Sequence, residues 1–323
     1  MAGVGLKLGV VGVGHLGRYH VQKYAAMDEA ELVGVMDSDR SRAEDIGRRY
    51  GVKVFGGMEE LLSEVDAVSL AVPTGLHYDL ALRILQSGVH LLVEKPITYS
   101  VEHAEHLVAE ARKRGLVLQV GHVERFSPPV MEMTSMVRRP LFIEAHRMNL
   151  FTPRGTDVDV VLDLMIHDLD IILNAVACPI KGIQAVGMRV VTGSTDIANA
   201  RMVFENGTVA TLTASRVSDK TLRKIRVFQD DACLSVDCAR RELSITRPEA
   251  SEAGRGGFPG VATNKLTYPE SDPLADQLAS FVRAVRSGGE PEVSGEDGLR
   301  ALEAALRIIQ QIREGGKDFQ SFL

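Results

Sequence analysis

The apolar run at residues 6–13 leads straight into Gly12-Val13-Gly14-His15-Leu16-Gly17, and a helical pattern opens directly behind it. Few features constrain a chain more: strand, glycine turn and helix in that order begin a βαβ unit whose turn receives a pyrophosphate. Gly12 allows the tight turn, Gly14 lets the backbone approach the phosphates, and Gly17 lets the helix lie close on the sheet. The positive end of the helix dipole, next to His15 and Leu16, completes an anion site.

The rhythm then continues. Apolar runs at 31–37, 67–73, 90–96 and 116–121 alternate with helical stretches such as 75–87 and 101–114, with Gly88 and Gly115 where helices should stop, which predicts a parallel sheet wound by helices. Phe126, Pro128 and Pro129 mark a change of pattern; beyond them come a strand pattern at 141–148 and at least five more at 180–246 with few helices between. The expected fold is α/β, with an N-terminal Rossmann domain over 1–122 and a C-terminal α+β domain with an open, mostly antiparallel sheet over 123–323. A loop is expected at 251–260, with helices starting near Pro273 and Gly295.

A chain of 323 residues is too long for one core, so two domains are expected. An open sheet face carrying Val and Leu needs a cover, and a second copy of the chain is the expected one. A net charge of -6 argues against a nucleic-acid partner. Cys178, Cys233 and Cys238 suit neither a disulfide framework nor a zinc set and fit a reducing cytoplasm. Lys7 interrupts the apolar N-terminus, which reads as a strand rather than a leader, and no run reaches the length of a membrane span.

The second strand ends at Asp37, where a carboxylate accepts hydrogen bonds from adenosine ribose hydroxyls and repels a 2′-phosphate. NAD is therefore the expected cofactor, with Arg40 and Arg42 leaving NADP open. Val93-Glu94-Lys95-Pro96 closes the fifth strand and puts Lys95 at the carboxyl edge of the sheet, where ligands bind in such folds. A plain solvated lysine is the alternative, and Pro96 is a candidate for a cis bond. Pro73 and Thr74 end another strand, and His77 behind them either lines the nicotinamide pocket or sits on a helix surface.

Residues 159–170 read as one helix, with Asp159, Asp163, His167 and Asp170 on one stripe and Leu162, Ile166, Leu169 and Leu173 on the next. Oxidising a secondary alcohol requires a base, a cation near the developing alkoxide and a hydride path. His167 suits the base, Asp163 can hold its imidazole, and Lys95 can hydrogen-bond the reacting oxygen. Solvated acidic faces are also common on helices. A metal set of Asp163, His167 and Asp170 would have no cysteine or second histidine nearby in sequence, so no metal is expected.

The Gly-rich loop, Pro73-Thr74 with His77, Glu94-Lys95-Pro96, and Asp163 followed by His167 together resemble the glucose-fructose oxidoreductase, inositol dehydrogenase and rhizopine-catabolism family over essentially the whole chain. The resemblance implies an NAD-dependent sugar-type dehydrogenase in which Lys95, Asp163 and His167 are catalytic and Glu94 and Lys95 also lie at the cofactor. Many members carry Gly-Gly before the Asp and Gly between it and the His. Here Val160-Val161 and Met165 stand there instead, a departure expected at the substrate rim. Segments running from Arg154 to Asp168, from Asp196 to Arg201 and from Thr213 to Arg216 resemble, within the family, the bacterial UDP-N-acetylglucosamine 3-dehydrogenases. Those oxidise the sugar 3-hydroxyl to a ketone before a separate aminotransferase makes the 3-amino sugar of some lipid A. A UDP-sugar would call on cations in the second domain, with Arg125 and Arg216 preferred, and Arg154 and Asp170 also expected near the substrate. The alternatives are a dehydrogenase of a free sugar, inositol or another nucleotide sugar, and a non-catalytic NAD-binding regulator.

Overall fold

The computed structural model describes residues 5–152, 158–249 and 260–320. Contacts divide the chain into two compact units: residues up to Val123 with Asp272–Leu302, and Glu124–Ser271 with Glu303–Leu323.

The first stretch runs β1 (Leu6–Val11), α1 (Gly17–Tyr24), β2 (Ala30–Met36), α2 (Arg40–Tyr50), β3 (Lys53–Val54), α3 (Met58–Leu62), β4 (Ala67–Leu70), α4 (His77–Gln86), β5 (His90–Glu94), α5 (Val101–Arg114) and β6 (Leu118–Gly121). Its six strands are all parallel, in the order β3-β2-β1-β4-β5-β6, so the winding direction reverses between β1 and β4. The central strands are apolar on both faces because helices cover both, and Val68, Leu70, Leu91, Leu92 and Val93 are fully buried. Side chains of Asp39 and Ser100 cap the starts of α2 and α5, and Gly51 and Gly115 close them in the left-handed conformation. β3 and α3 are too short to have left a periodic signal in the sequence.

The second unit contains α6 (Pro128–Met136), β7 (Pro140–Met148), a π-helical turn (Val161–Met165) continuing as α7 (Ile166–Val176), and then β8 (Ile180–Met188), β9 (Ile197–Phe204), β10 (Val209–Ser215), β11 (Leu222–Gln229), β12 (Ala232–Asp237), β13 (Glu242–Glu249) and β14 (Gly260–Thr267). The sheet order is β14-β13-β12-β11-β7-β10-β9-β8, antiparallel at every step except the parallel β7–β10 pair. Alternation along the central strands β7, β9 and β10 separates its faces. Ile143, Ala145, Ala200, Met202, Ala210 and Leu212 are buried, while Glu144, His146, Asn199, Arg201, Thr211 and Thr213 on the other face keep solvent contact. The α/β class with a parallel Rossmann sheet and a second, open, mostly antiparallel sheet is the one anticipated from periodicity.

Two expectations need correcting. The helices α8 (Pro273–Ser287) and α9 (Gly295–Gln320) follow β14, but the chain from Asp272 to Leu302 groups with the first unit, not with 123–323 as a block. The reason is packing: Leu278, Phe281 and Val282 on the apolar stripe of α8 join Leu8, Val10, Val35 and Leu92 in one core cluster. Asp272 caps α8 by accepting from Ala275 N and pairs with Lys23 of α1. Sequence shows that α8 has an apolar stripe but not which sheet receives it.

The second correction concerns residues 159–170. At the π-turn Ile166 N reaches back five residues to Val161 O, which adds a residue to the turn and breaks the stripe expected of a uniform α-helix. Asp159 accepts from Val161 N at 3.0 Å and so caps the turn. Asp170 is buried, out of line with the half-exposed Asp163 and His167.

Candidate active site

In the first unit the loop after β1 is built as its glycines require. Gly12 sits at φ 82°, donates to Met36 O at 2.8 Å, and has no room for a side chain, since a Cβ would lie 2.6 Å from Ala71 O. A Cβ on Gly17 would lie 1.7 Å from Gly12 O, so α1 can start this close to the loop only with glycine there. Around Gly14 the space is open, with Arg42 Nη1 at 3.9 Å the nearest atom to a built Cβ. This clearance beside bare backbone at a helix N-terminus fits a dinucleotide pyrophosphate. Asp37 Oδ2 accepts from Val13 N and Oδ1 from Asp39 N, both at 2.8 Å, with Arg42 Nη1 at 3.4 Å from each oxygen. The residue expected at the ribose therefore also ties the glycine loop to the end of β2. His15 is exposed with Tyr19 edge-on to its ring, and Leu16 and Leu76 are exposed after β1 and β4.

Lys95 follows β5, bracketed by two buried contacts. On one side Glu94 Oε1 lies 3.2 Å from His20 Nε2, His20 Nδ1 is 2.7 Å from Ser69 Oγ, and Lys95 N donates to Glu94 Oε2 at 3.4 Å. Burial holds the Tyr24 hydroxyl beside Ser69 well above its ordinary pKa, so it stays protonated. On the other side the ring of His77, the first residue of α4, is 1% exposed, with Nδ1 2.9 Å from Pro96 O and Nε2 2.9 Å from Val72 O. His77 thus neither sits on a helix surface nor faces an open pocket. Thr74 opens a 3-10 turn that Leu76 N closes on Pro73 O at 2.9 Å. The Lys95–Pro96 bond is cis. His20 and Ser69 escaped sequence reasoning because a single polar residue within a helix or a buried strand carries no periodic mark.

In the second unit Asp163 lies in the π-turn and His167 in the first turn of α7, both half-buried. Arg216, at the end of β10, donates to Val158 O at 2.6 Å and has Nη2 4.0 Å from Asp163 Oδ2. Arg125 lies 3.5 Å from Asp170, both nearly fully buried. The two arginines preferred for a diphosphate are thus turned inward onto protein partners, and Arg154 lies outside the described residues. Next to His167, Asp168 receives Arg147 Nη2 at 2.8 Å, while Arg147 Nη1 binds Glu124 at 2.9 Å. Burial would push the Glu124 carboxyl up, but the Arg147 charge and hydrogen bond outweigh it and hold the carboxyl below its ordinary pKa. Asp196 is buried as well, yet the Thr192 hydroxyl and the backbone N–H groups of Thr192, Val191 and Val190 keep its pKa low. Its carbonyl accepts from Arg216 N at 3.0 Å. Val160, Val161 and Met165 are fully buried, so the departure from the glycine pattern changes the core under the turn rather than a substrate rim. Among the described residues no group of three or more His, Cys, Asp or Glu is placed to hold a metal ion, and no helix is long and apolar enough to cross a membrane.

A unit whose glycine turn cradles a dinucleotide, with a lysine at the carboxyl edge of the same sheet, is the working half of an NAD-dependent oxidoreductase. The chain belongs to the Gfo/Idh/MocA family: residues 6–122 match the oxidoreductase family's NAD-binding Rossmann fold and residues 130–235 match the Gfo/Idh/MocA C-terminal domain. UDP-N-acetylglucosamine 3-dehydrogenase of Acidithiobacillus ferrooxidans is 39% identical over 94% of this chain and 96% of its own. A solved structure of that enzyme superposes with a TM-score of 0.89 at 38% identity, covering 96% of this chain and 98% of the other. Myo-inositol 2-dehydrogenase of Thermotoga maritima is 24% identical over 96% of this chain and 97% of its own. Scyllo-inositol dehydrogenase from Lactobacillus casei, solved with NAD(H) and scyllo-inositol, shares the fold at a TM-score of 0.81 and 21% identity, over 97% of this chain and 98% of the other.

Proposed function

We infer that the chain oxidises the 3-hydroxyl of UDP-N-acetylglucosamine to the 3-keto sugar with NAD. The observation that carries this reading is the 39% identity to an enzyme of that activity, which runs through both units rather than through the cofactor unit alone. Bound NAD supplies the hydride acceptor. Lys95 donates a hydrogen bond to the reacting oxygen and stabilises the alkoxide as it develops. His167 takes the hydroxyl proton, and Asp163 stabilises the imidazolium that results. The glycine loop holds the pyrophosphate, and Asp37 accepts from the adenosine ribose.

Two further assignments belong to the same reading. The keto product is the substrate of an amino-transfer reaction, so the enzyme works beside a sugar aminotransferase. The open face of the second sheet, where Val186 and Met188 are about 65% and 60% exposed, is covered by another copy in a homodimer or homotetramer. The deciding measurement is NADH formation by the purified protein with UDP-N-acetylglucosamine, inositol and free hexoses in parallel, with an aminotransferase and amino donor present to draw off ketone. Turnover of UDP-N-acetylglucosamine alone is expected; turnover of inositol or a hexose without it would replace the substrate assignment. NAD binding with no turnover of any sugar would favour a regulator.

A further inference from the structure

We propose that His77 is a positioning residue for Lys95: its buried imidazole ties together the loops after β4 and β5 and so fixes the lysine at the reacting oxygen. The inference rests on the reading of Lys95 as the group that binds that oxygen.

The geometry is unusual for a histidine. Both ring nitrogens point at backbone carbonyl oxygens, Val72 O and Pro96 O, each at 2.9 Å, and the ring is 1% exposed. Val72 lies between β4 and the Pro73-Thr74 turn, and Pro96 directly follows Lys95. β4 and β5 are neighbours in the sheet, so the two loops leave the same edge side by side. Loops at a sheet edge have lost the ladder that orients the strand backbone, and their carbonyls need other donors. A neutral imidazole carries one N–H and so donates to one of the two carbonyls at a time; because His77 itself opens α4 directly behind the β4 loop, a single donation to Pro96 O is enough to link that loop to the residue after Lys95. Alanine offers no N–H in its place. Glu94, the residue before Lys95, lies 3.2 Å from His20, and His77 contacts the carbonyl of the residue after it. The lysine is thereby fixed from both chain directions, with no contact required between His77 and cofactor or sugar.

Displacing a reacting group by about 1 Å can cost about 100-fold in rate. The expected effect of His77→Ala is therefore a 10- to 100-fold fall in kcat, by the same argument, with NAD affinity changed less than about threefold. The discriminating experiment is a double-mutant cycle on the full chain, using His77→Ala, Lys95→Ala and the double variant. It reads single-turnover NADH formation with the sugar that the protein turns over, NAD binding by fluorescence titration, and thermal unfolding. His77→Gln replaces His77→Ala throughout if the alanine variant is unfolded at the assay temperature. If His77 acts through Lys95, its replacement slows the lysine enzyme but leaves the Lys95→Ala enzyme almost unchanged. Equal losses in both backgrounds, or loss of NAD binding in step with kcat, would overturn the proposal. Full activity of Lys95→Ala by itself would instead remove the reading of Lys95, a result distinguishable from failure of the His77 role.

Discussion

The two units hold the side chains proposed for the chemistry by different physics. In the first, Lys95 sits on a loop, and the loop is steadied chiefly through its own backbone, with His77 on two carbonyls and the His20–Glu94 contact beneath. In the second, Asp163 and His167 sit on helical turns whose backbone groups are largely satisfied internally, so orientation is left to side chains. Those side chains are guanidinium–carboxylate contacts, buried for Arg147 with Asp168 and Arg125 with Asp170 and partly exposed for Arg147 with Glu124. Where a functional residue stands on regular structure, burying charge is one of the few ways left to aim it.

The contrast can be broken most forcefully at Arg147. Replacing it by Met leaves Asp168 buried without its partner and Glu124 partly exposed beside an apolar chain, and breaking a buried pair in this way costs roughly 3–5 kcal/mol. Urea unfolding at neutral pH should show that loss. If the loss stays below about 1 kcal/mol, as for an exposed pair, the charged network is not what secures α7.

A smaller effect separates the units by pH. Burial outweighs the two carbonyl contacts of His77 and lowers its pKa from 6.5, and burial lowers that of His90 as well. Both rings are thus held neutral in a fold whose unfolded chain takes up protons below that value. A depressed histidine contributes stability that is complete above 6.5 and declines as pH falls towards the folded pKa. Glu124, lowered from 4.5, behaves as a depressed carboxylate: its contribution is present above 4.5 and is lost as pH falls through the folded pKa. Acidification from neutrality should therefore reduce amide protection in the first unit before the second. Mass-resolved hydrogen exchange, corrected for the intrinsic rate, measures the order, and loss in the second unit first would reverse the comparison.

The smallest effect sharpens the neutral side. Ser69→Ala removes one uncharged partner of His20, which costs about 1–2 kcal/mol and should lower the denaturation midpoint far less than Arg147→Met. Parity between the two variants would mean that the His20–Ser69–Glu94 cluster carries charge-like weight.

What sequence alone could reveal follows the same division. The glycine loop, Asp37, and Lys95 at a strand end were legible because each depends on neighbours close in the chain: a turn, a strand terminus, a short motif. The partners of Asp168 and Asp170 were not, because Arg147 and Arg125 stand on other elements and only the packed fold brings them in. Arg125 and Arg216 looked like phosphate ligands for the same reason, since a lone arginine gives no sign of the carboxylate or carbonyl it will meet. The stripe through residues 159–170 assumed 3.6 residues per turn throughout, and the π-turn does not keep that period.

That turn has a consequence for how relatives of this chain can diverge. A π-turn carries one residue more than an α-helix covering the same path, and one residue of α-helix corresponds to about 100° of rotation. Deleting Leu164 or Met165 would let the segment relax into a plain helix while swinging Asp163 away from its direction relative to His167. The valines and the methionine of this chain are compatible with the π-turn. The interval between the two side chains thus depends on the count of residues more than on their identity, and a one-residue gap between them in a relative should break the proposed Asp163–His167 pair while keeping the fold.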